Sequence, residues 1–377
     1  MQASATEPRP RAHPELRGVP RWIYEPLALV AGLRLAFFMF AYATQASLAD
    51  QLLGFFDLWN RWDAGHFLRI ADVGYSGPEA FPYATAFFPA YPLAIRGLAA
   101  LGLPALGAAL TLSFAGSVVA CCFLYRLAEE DVGPGAGRRA VLYLLLFPTS
   151  VFLVAPYSEG LFLAGAVPAF YYARRARPLA SGAWATLATG TRAAGIFLVA
   201  GLALEHLRAR PKALKAVAGL ALACVPIAAY ALFLTLAKDD PFRFLTDQRL
   251  GWYREFTSPL SALRTTLDTW SSDFPFNWKI AFRIEVVAAA AGLAFTAWAA
   301  LRKEWGYALF MALTMAALMT STWYMSIPRI LLSLFPITIL LARYTRERPR
   351  RHELLLVLIA PLSLAGVVVF TGGQWFF

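Results

Sequence analysis

Two side chains in the stretch RWDAGHFLRIADVGY have the types and spacing for acid–base chemistry. Asp63 and His66 lie three residues apart and would share a helical face with Phe67 and Ile70. A carboxylate beside an imidazole is enough for a general base with an orienting partner. An interfacial helix whose charges only meet water and lipid headgroups has the same spacing, so the pair alone leaves both readings open. Arg61 and Trp62 precede it directly. Glu159, in APYSEGLFL, opens an apolar run, where a helix dipole favours an acid. Arg192, in TGTRAAG, and Arg329, in MSIPRILLSLFP, each stand before an apolar run, and a guanidinium there can hold a phosphate bidentately. The loop DPFRFLTDQRLGWYREF adds Gln248, Trp252 and Arg254, an aromatic beside hydrogen-bonding groups, which suits sugar stacking.

The elements that position these residues are apolar. Mean hydropathy is +0.55, and of 377 residues 59% are hydrophobic and only 15% charged, against about 25% charged in an average soluble domain. The fold class expected is therefore an all-α polytopic membrane protein. The formal charge of +11 does not indicate nucleic acid, because the basic residues sit in short clusters between apolar spans, where cytoplasmic loops retain Lys and Arg. Cys121, Cys122 and Cys224 lie inside apolar segments without metal-like spacing and read as inert thiols.

Residues 1–23 read as a cytoplasmic tail and 24–377 as a single transmembrane domain. Its spans are expected at about 24–46, 106–127, 140–157, 159–173, 179–191, 193–207, 213–237, 280–301, 305–322, 329–343 and 354–371. The Pro-interrupted stretch 87–102 is short for a span, and keeping it at the interface leaves every later basic cluster on one side. These are Arg138/Arg139, Arg174/Arg175/Arg177, Arg208/Arg210/Lys212/Lys215, Arg302/Lys303 and Arg343 to Arg351. The result is eleven spans, with the N-terminus inside and two large outer regions, 47–105 and 238–279, rich in aromatic and charged residues. Function is expected where those two regions meet. No Walker loop, zinc spacing, GxSxG elbow or DxD motif occurs, so neither a nucleotide-sugar donor nor a divalent metal is expected. The pair Asp239/Asp240 reads as a solvated helix stop.

WDAGHFLRIADVGY, AFFPAYPLAIR, FPTSVFLVAPYSEGLFL, GTRAAGIFL, DQRLGWYRE, MSIPRILLSLFP and VVFTGGQWFF, in this order, resemble the PIG-V family of mannosyltransferases over nearly the whole membrane domain. The resemblance implies a glycosyltransferase of the GT-C type, with an acidic catalytic residue and interfacial helices in the first outer loop. It implies a polyprenyl-phosphate-mannose donor, inversion to an α-linkage, and a hydroxyl acceptor on a glycolipid or related molecule. The motif Asp and His map to Asp63 and His66. Arg192 and Arg329 then become candidates for the departing phosphate, and Arg61, Trp62, Glu159, Gln248 and Trp252 for substrate contacts. No cofactor is expected beyond the lipid-linked sugar itself. An Ala/Arg/Gly-rich chain of this length fits a bacterial plasma membrane, with the site on the outer face. A glycolipid transporter or flippase is the rival reading. It calls for ionisable residues in series near mid-span, and Arg34, Arg283 and Glu285 form no series.

Overall fold

The computed structural model of the chain describes residues 18–48 and 53–377, so most of the expected tail and residues 49–52 of the first outer region lie outside it. The described chain runs through α1 (Arg21–Leu48), α2 (Asp63–Val73), α3 (Ala90–Ala100), α4 (Ala105–Val132), α5 (Ala136–Leu145), α6 (Val151–Val154), α7 (Glu159–Arg174), α8 (Pro178–Thr191) and α9 (Gly195–Ala209). It continues through α10 (Ala213–Lys238), α11 (Arg243–Trp252), α12 (Pro259–Asp268), α13 (Phe276–Leu301), α14 (Trp305–Met319), α15 (Ile327–Ser333), α16 (Pro336–Thr345) and α17 (Pro349–Thr371). Prolines open several of these helices, Pro178, Pro259, Pro336 and Pro349 among them, where a missing N–H costs nothing.

Five helices, α1, α4, α10, α13 and α17, are long and apolar enough to cross a bilayer alone, and the pair α15–α16, bent by 75°, would make a sixth. They carry much of the exposed apolar surface: Leu214, Val217, Val225, Leu232 and Leu236 on α10, and Leu354, Val357, Leu358 and Leu362 on α17. Such an exterior fits lipid, and the chain is a polytopic membrane protein. The expected spans at 159–173, 179–191, 193–207 and 305–322 are helices of 14 to 16 residues. At 1.5 Å per residue they are roughly 21–24 Å long, shorter than the ~30 Å hydrocarbon core. Position explains the shortness of α7: nearly every residue of it is buried in protein, so lipid thickness does not set its length. The expected span 140–157 is two pieces, because α5 ends at Leu145 and only one turn of helix, α6, follows the bend at Pro148.

α7 sits where two glycines let backbones touch. A Cβ on Gly116 of α4 would lie 2.6 Å from the Gly160 carbonyl carbon, and one on Gly160 would lie 2.8 Å from the Ser113 carbonyl oxygen. Small residues at such crossings replace the hydrophobic drive that lipid cannot supply. The non-helical turn ahead of α7 is held by side chains that use its free carbonyls. Arg34 donates to Val154 O (2.8 Å), Leu153 O (3.3 Å) and Leu110 O (2.9 Å), and Ser113 Oγ donates to Ala155 O (2.8 Å). Arg34, an isolated charge within a span by sequence, thus satisfies backbone that would otherwise be orphaned in an apolar interior.

The regions 47–105 and 238–279 are in contact. The buried Asp247 of α11 accepts from Thr85 Oγ1 (2.6 Å), from Thr85 N (3.3 Å) and from Arg243 Nε (2.9 Å), and Tyr230 of α10 donates to Thr85 O (2.8 Å). α3, at 11 residues and about 16 Å, is too short to span. At the opposite end of α7, Arg174 pairs with Asp131, Glu205 and Glu304, and Arg343 and Arg208 also reach Glu304. The ends of α4, α7, α9 and α16 and the start of α14 therefore share one face of the molecule, so the basic clusters grouped by charge do lie together.

Candidate active site

The site begins where the chain enters α2. Trp62 has a left-handed backbone (φ 52°), which for a bulky residue costs on the order of 1–3 kcal/mol and persists only when its surroundings impose it. The C-terminal segment imposes it here. Arg61 Nη2 donates to Thr371 O (2.9 Å), Trp62 Nε1 donates to Gln374 O (3.2 Å), and Tyr157 OH donates to Arg61 O (3.0 Å). The turn delivers Asp63 as the first residue of α2, where the helix dipole favours a carboxylate.

Asp63 meets a buried chain of charges. Arg329 Nη1 donates to Asp63 Oδ2 (2.6 Å), Arg329 Nε donates to Glu159 Oε1 (2.5 Å), and Arg192 also pairs with Glu159 Oε1. Glu159 is fully buried and Arg329 is 8% exposed, whereas the Asp63 side chain keeps 23% exposure. Asp63 is therefore the open end of the chain, with Oδ1 in no ion pair among the described residues. The Arg329 guanidinium lies over the rings of Phe152 (4.8 Å) and Tyr157 (4.6 Å), which fix its plane and keep water away. The four charges come from four separate sequence motifs, and Glu159 joins the two arginines.

Two further residues complete the arrangement. Glu285 of α13, buried, accepts from Ser326 N (2.6 Å) and Ile327 N (2.8 Å), closing the free N–H groups at the start of α15 two residues before Arg329. Arg254, from the second outer region, donates to Met325 O (3.2 Å), while its Nε is shielded from solvent with no hydrogen-bond partner among the described residues. Burial pulls Arg254 below the ordinary guanidinium range. Arg329 and Arg192 add to that effect, and Glu285 and Asp63 oppose it. Arg254 is thus a cation beside the Asp63 cluster that pairs with no carboxylate among the described residues. Its position next to Trp252 was visible in the sequence, but its convergence with Arg329 was not.

His66 does not hydrogen-bond Asp63. Its ring stacks on Phe81 (3.9 Å between centroids) and faces Phe87 (5.3 Å) and Trp252 (6.3 Å). Burial holds it below the usual histidine value, with Asp63 pulling in the other direction. Trp252 also packs edge-on to Tyr83 and Phe87, so the second outer region closes an aromatic wall over α2. Arg61 and Trp62 border the cluster through the C-terminal segment, and Trp62 stays half exposed at 47%. Gln248 is half-buried on α11; its carbonyl accepts from Arg254 N (3.3 Å), and no hydrogen bond ties its side chain to the cluster.

The arrangement gives one accessible carboxylate facing guanidinium groups in an aromatic, largely dry setting at the end of a helical bundle. The model of the family described as Mannosyltransferase (PIG-V) matches residues 36–233, more than half of the chain. The chain belongs to the PIG-V mannosyltransferase family. The match to the PIG-V family takes in Asp63, His66, Glu159 and Arg192, while Arg254, Glu285 and Arg329 join the cluster from beyond it. The chain is 37% identical over 162 residues to GPI alpha-1,6-mannosyltransferase 2 of Cricetulus griseus, covering 40% of this chain and 32% of that relative. Against the Homo sapiens protein of the same name it is 35% identical over 166 residues, covering 41% and 33%. The alignments thus span about a third of the length of these relatives.

Proposed function

We propose that this PIG-V family member transfers mannose from a polyprenyl-phosphate-mannose donor to a hydroxyl of a membrane glycolipid or related acceptor, with inversion to an α-linkage. The observation that carries the reading is the Asp63–Arg329–Glu159–Arg192 chain, in which a single partly open carboxylate borders fixed cations. Asp63 Oδ1 takes the proton of the acceptor hydroxyl as its oxygen attacks the anomeric carbon. The bond from that carbon to the phosphate oxygen breaks on the opposite face, and the electron pair leaves with the polyprenyl phosphate. Negative charge then grows on the leaving group beside Arg254, Arg329 and Arg192, and cations already in place need no reorganisation to meet it. The reading calls for no metal and no nucleotide, since the lipid phosphate is activated by arginine.

His66, neutral in its aromatic box, borders the acceptor and keeps water from Asp63. Trp252 supplies a face for a sugar ring, and Arg61, Trp62 and Gln248 edge the same opening. The site faces outward and the basic connections at the far end of α7 face the cytoplasm of a bacterial plasma membrane, as the charge pattern favours. The test is incubation of purified protein with radiolabelled polyprenyl-phosphate-mannose and a membrane lipid extract. A new labelled lipid supports transfer; translocation of intact labelled lipid without product supports a flippase and contradicts it.

A further inference from the structure

A cavity opens beside the candidate site, and nothing in the transfer reading uses it. It has a volume of about 130 Å³ and lies between the regions 47–105 and 238–279, lined by Tyr75, Phe81, Thr85, Lys238, Arg243 and Asp247. That is below the roughly 300–1,000 Å³ of pockets for drug-sized ligands, so the recess suits one small group such as a phosphate. Phe81 is the shared wall: one face stacks on His66 at 3.9 Å, and the ring also borders the cavity. Lys238 ends α10, a membrane-spanning helix, so the opening lies at the level of lipid headgroups.

The charges decide what such a cavity would hold. Asp247 is already satisfied, with one oxygen taken by Thr85 and the other by Arg243. Of the acids nearby, Glu79 pairs with Arg69, Asp240 accepts the backbone N–H of Phe242, and Asp239 is exposed to solvent. Lys238 is half-buried and makes no ion pair among the described residues. An ammonium with three donors and no acceptor in a polar recess is an invitation to an anion.

We infer that this cavity is a binding site for the phosphate of a membrane-lipid headgroup, with Lys238 as its principal contact and Arg243 beside it. Tyr75 and Phe81 form apolar walls for the group that the phosphate carries. Binding there does not depend on the transfer reading. That the bound headgroup is presented across Phe81 toward Asp63 as an acceptor does rest on it.

The test measures binding, with no turnover required. Wild type, Lys238→Gln and Lys238→Arg are reconstituted in nanodiscs of phosphatidylcholine containing a minor fraction of phosphatidylglycerol. Anionic lipid that stays on the released protein is quantified by native mass spectrometry. Wild type and Lys238→Arg should retain phosphatidylglycerol, and Lys238→Gln should retain about tenfold less, the scale of one charge-assisted hydrogen bond, with an unchanged melting temperature. A second arm adds inorganic phosphate: displacement shows that the phosphate is read by itself, and retention shows that the lipid-borne form is needed, and both uphold the site. Equal retention by wild type and Lys238→Gln, or an equal loss in Lys238→Arg, overturns it.

Discussion

The two ends of α7 hold two buried charge clusters that are built for different tasks. At its C-terminal end, Asp131, Glu205 and Glu304 face Arg174, Arg208 and Arg343, three acids against three bases, and Tyr307 OH donates to Asp131 Oδ2 (3.0 Å). At its N-terminal end, Glu159 bridges Arg192 and Arg329, Asp63 stands at the edge with a free oxygen, and Arg254 adds a cation with no carboxylate of its own. Both clusters suit the dipole of α7, an acid at its start and an arginine at its finish. The first is balanced in charge, as a knot that joins five helices should be. The second is open on one side and left with donors to spare, as a site should be if it awaits an anion. Buried charge by itself is weak evidence for either stability or function; what separates these clusters is that the second leaves Arg254 without a carboxylate among the described residues and Asp63 partly open to solvent.

Substitutions at the two ends should therefore separate stability from chemistry. Arg329→Gln strikes a residue that does both: activity should fall about 10²–10³-fold, as for loss of a preorganised donor, and stability by about 3–5 kcal/mol, as for a broken buried pair. Unfolding in detergent and single-turnover transfer would measure the two losses. Glu304→Gln should cost a similar about 3–5 kcal/mol, yet leave the rate per folded molecule near wild type. A selective loss of rate would erase the contrast between the ends. Arg254→Gln should raise the KM for the lipid-phosphate donor about tenfold or more, in line with a charged hydrogen bond, with little change in melting temperature. An unchanged donor KM would remove Arg254 from the phosphate site.

The smallest effect concerns His66. Burial holds its folded value below the ordinary ~6.5, so near pH 6 the unfolded chain binds more protons than the folded one. Stability then rises with pH through that window; it is full above about 6.5 and is lost as pH falls through the lower folded value. His66→Gln should flatten this acid limb in a series of melting temperatures against pH. A limb that persists unchanged belongs to another group.

Much of this architecture was legible in the chain. Asp63 stood out by its spacing to His66, Glu159 as an acid opening an apolar run, and Arg192 and Arg329 as cations running against the topology rule, and the structure brings all four together. What hydropathy could not show was which helices face lipid. α7 and α10 are both apolar, but the first is enclosed by protein and needs only 16 residues, while the second faces outward and runs for 26. Glu285 read as an isolated charge in a span, because its role as a cap for α15 depends on a contact 41 residues away. The knot at the far end was equally hidden. Its arginines registered as topology signals, and Asp131, Glu205 and Glu304 gave no sign of pairing until the helices were placed. His66 seemed the natural companion of Asp63 from its spacing, yet the guanidinium of Arg329 occupies that place.

The central claim is that Asp63, the open end of the charge chain, is the base for mannosyl transfer. Single-turnover transfer from radiolabelled polyprenyl-phosphate-mannose should be compared between wild type and Asp63→Asn at equal amounts of folded protein. A rate lowered about 10²–10⁴-fold, with the melting temperature preserved because Glu159 still holds Arg329, is the predicted result. Transfer by Asp63→Asn at the wild-type rate would contradict it.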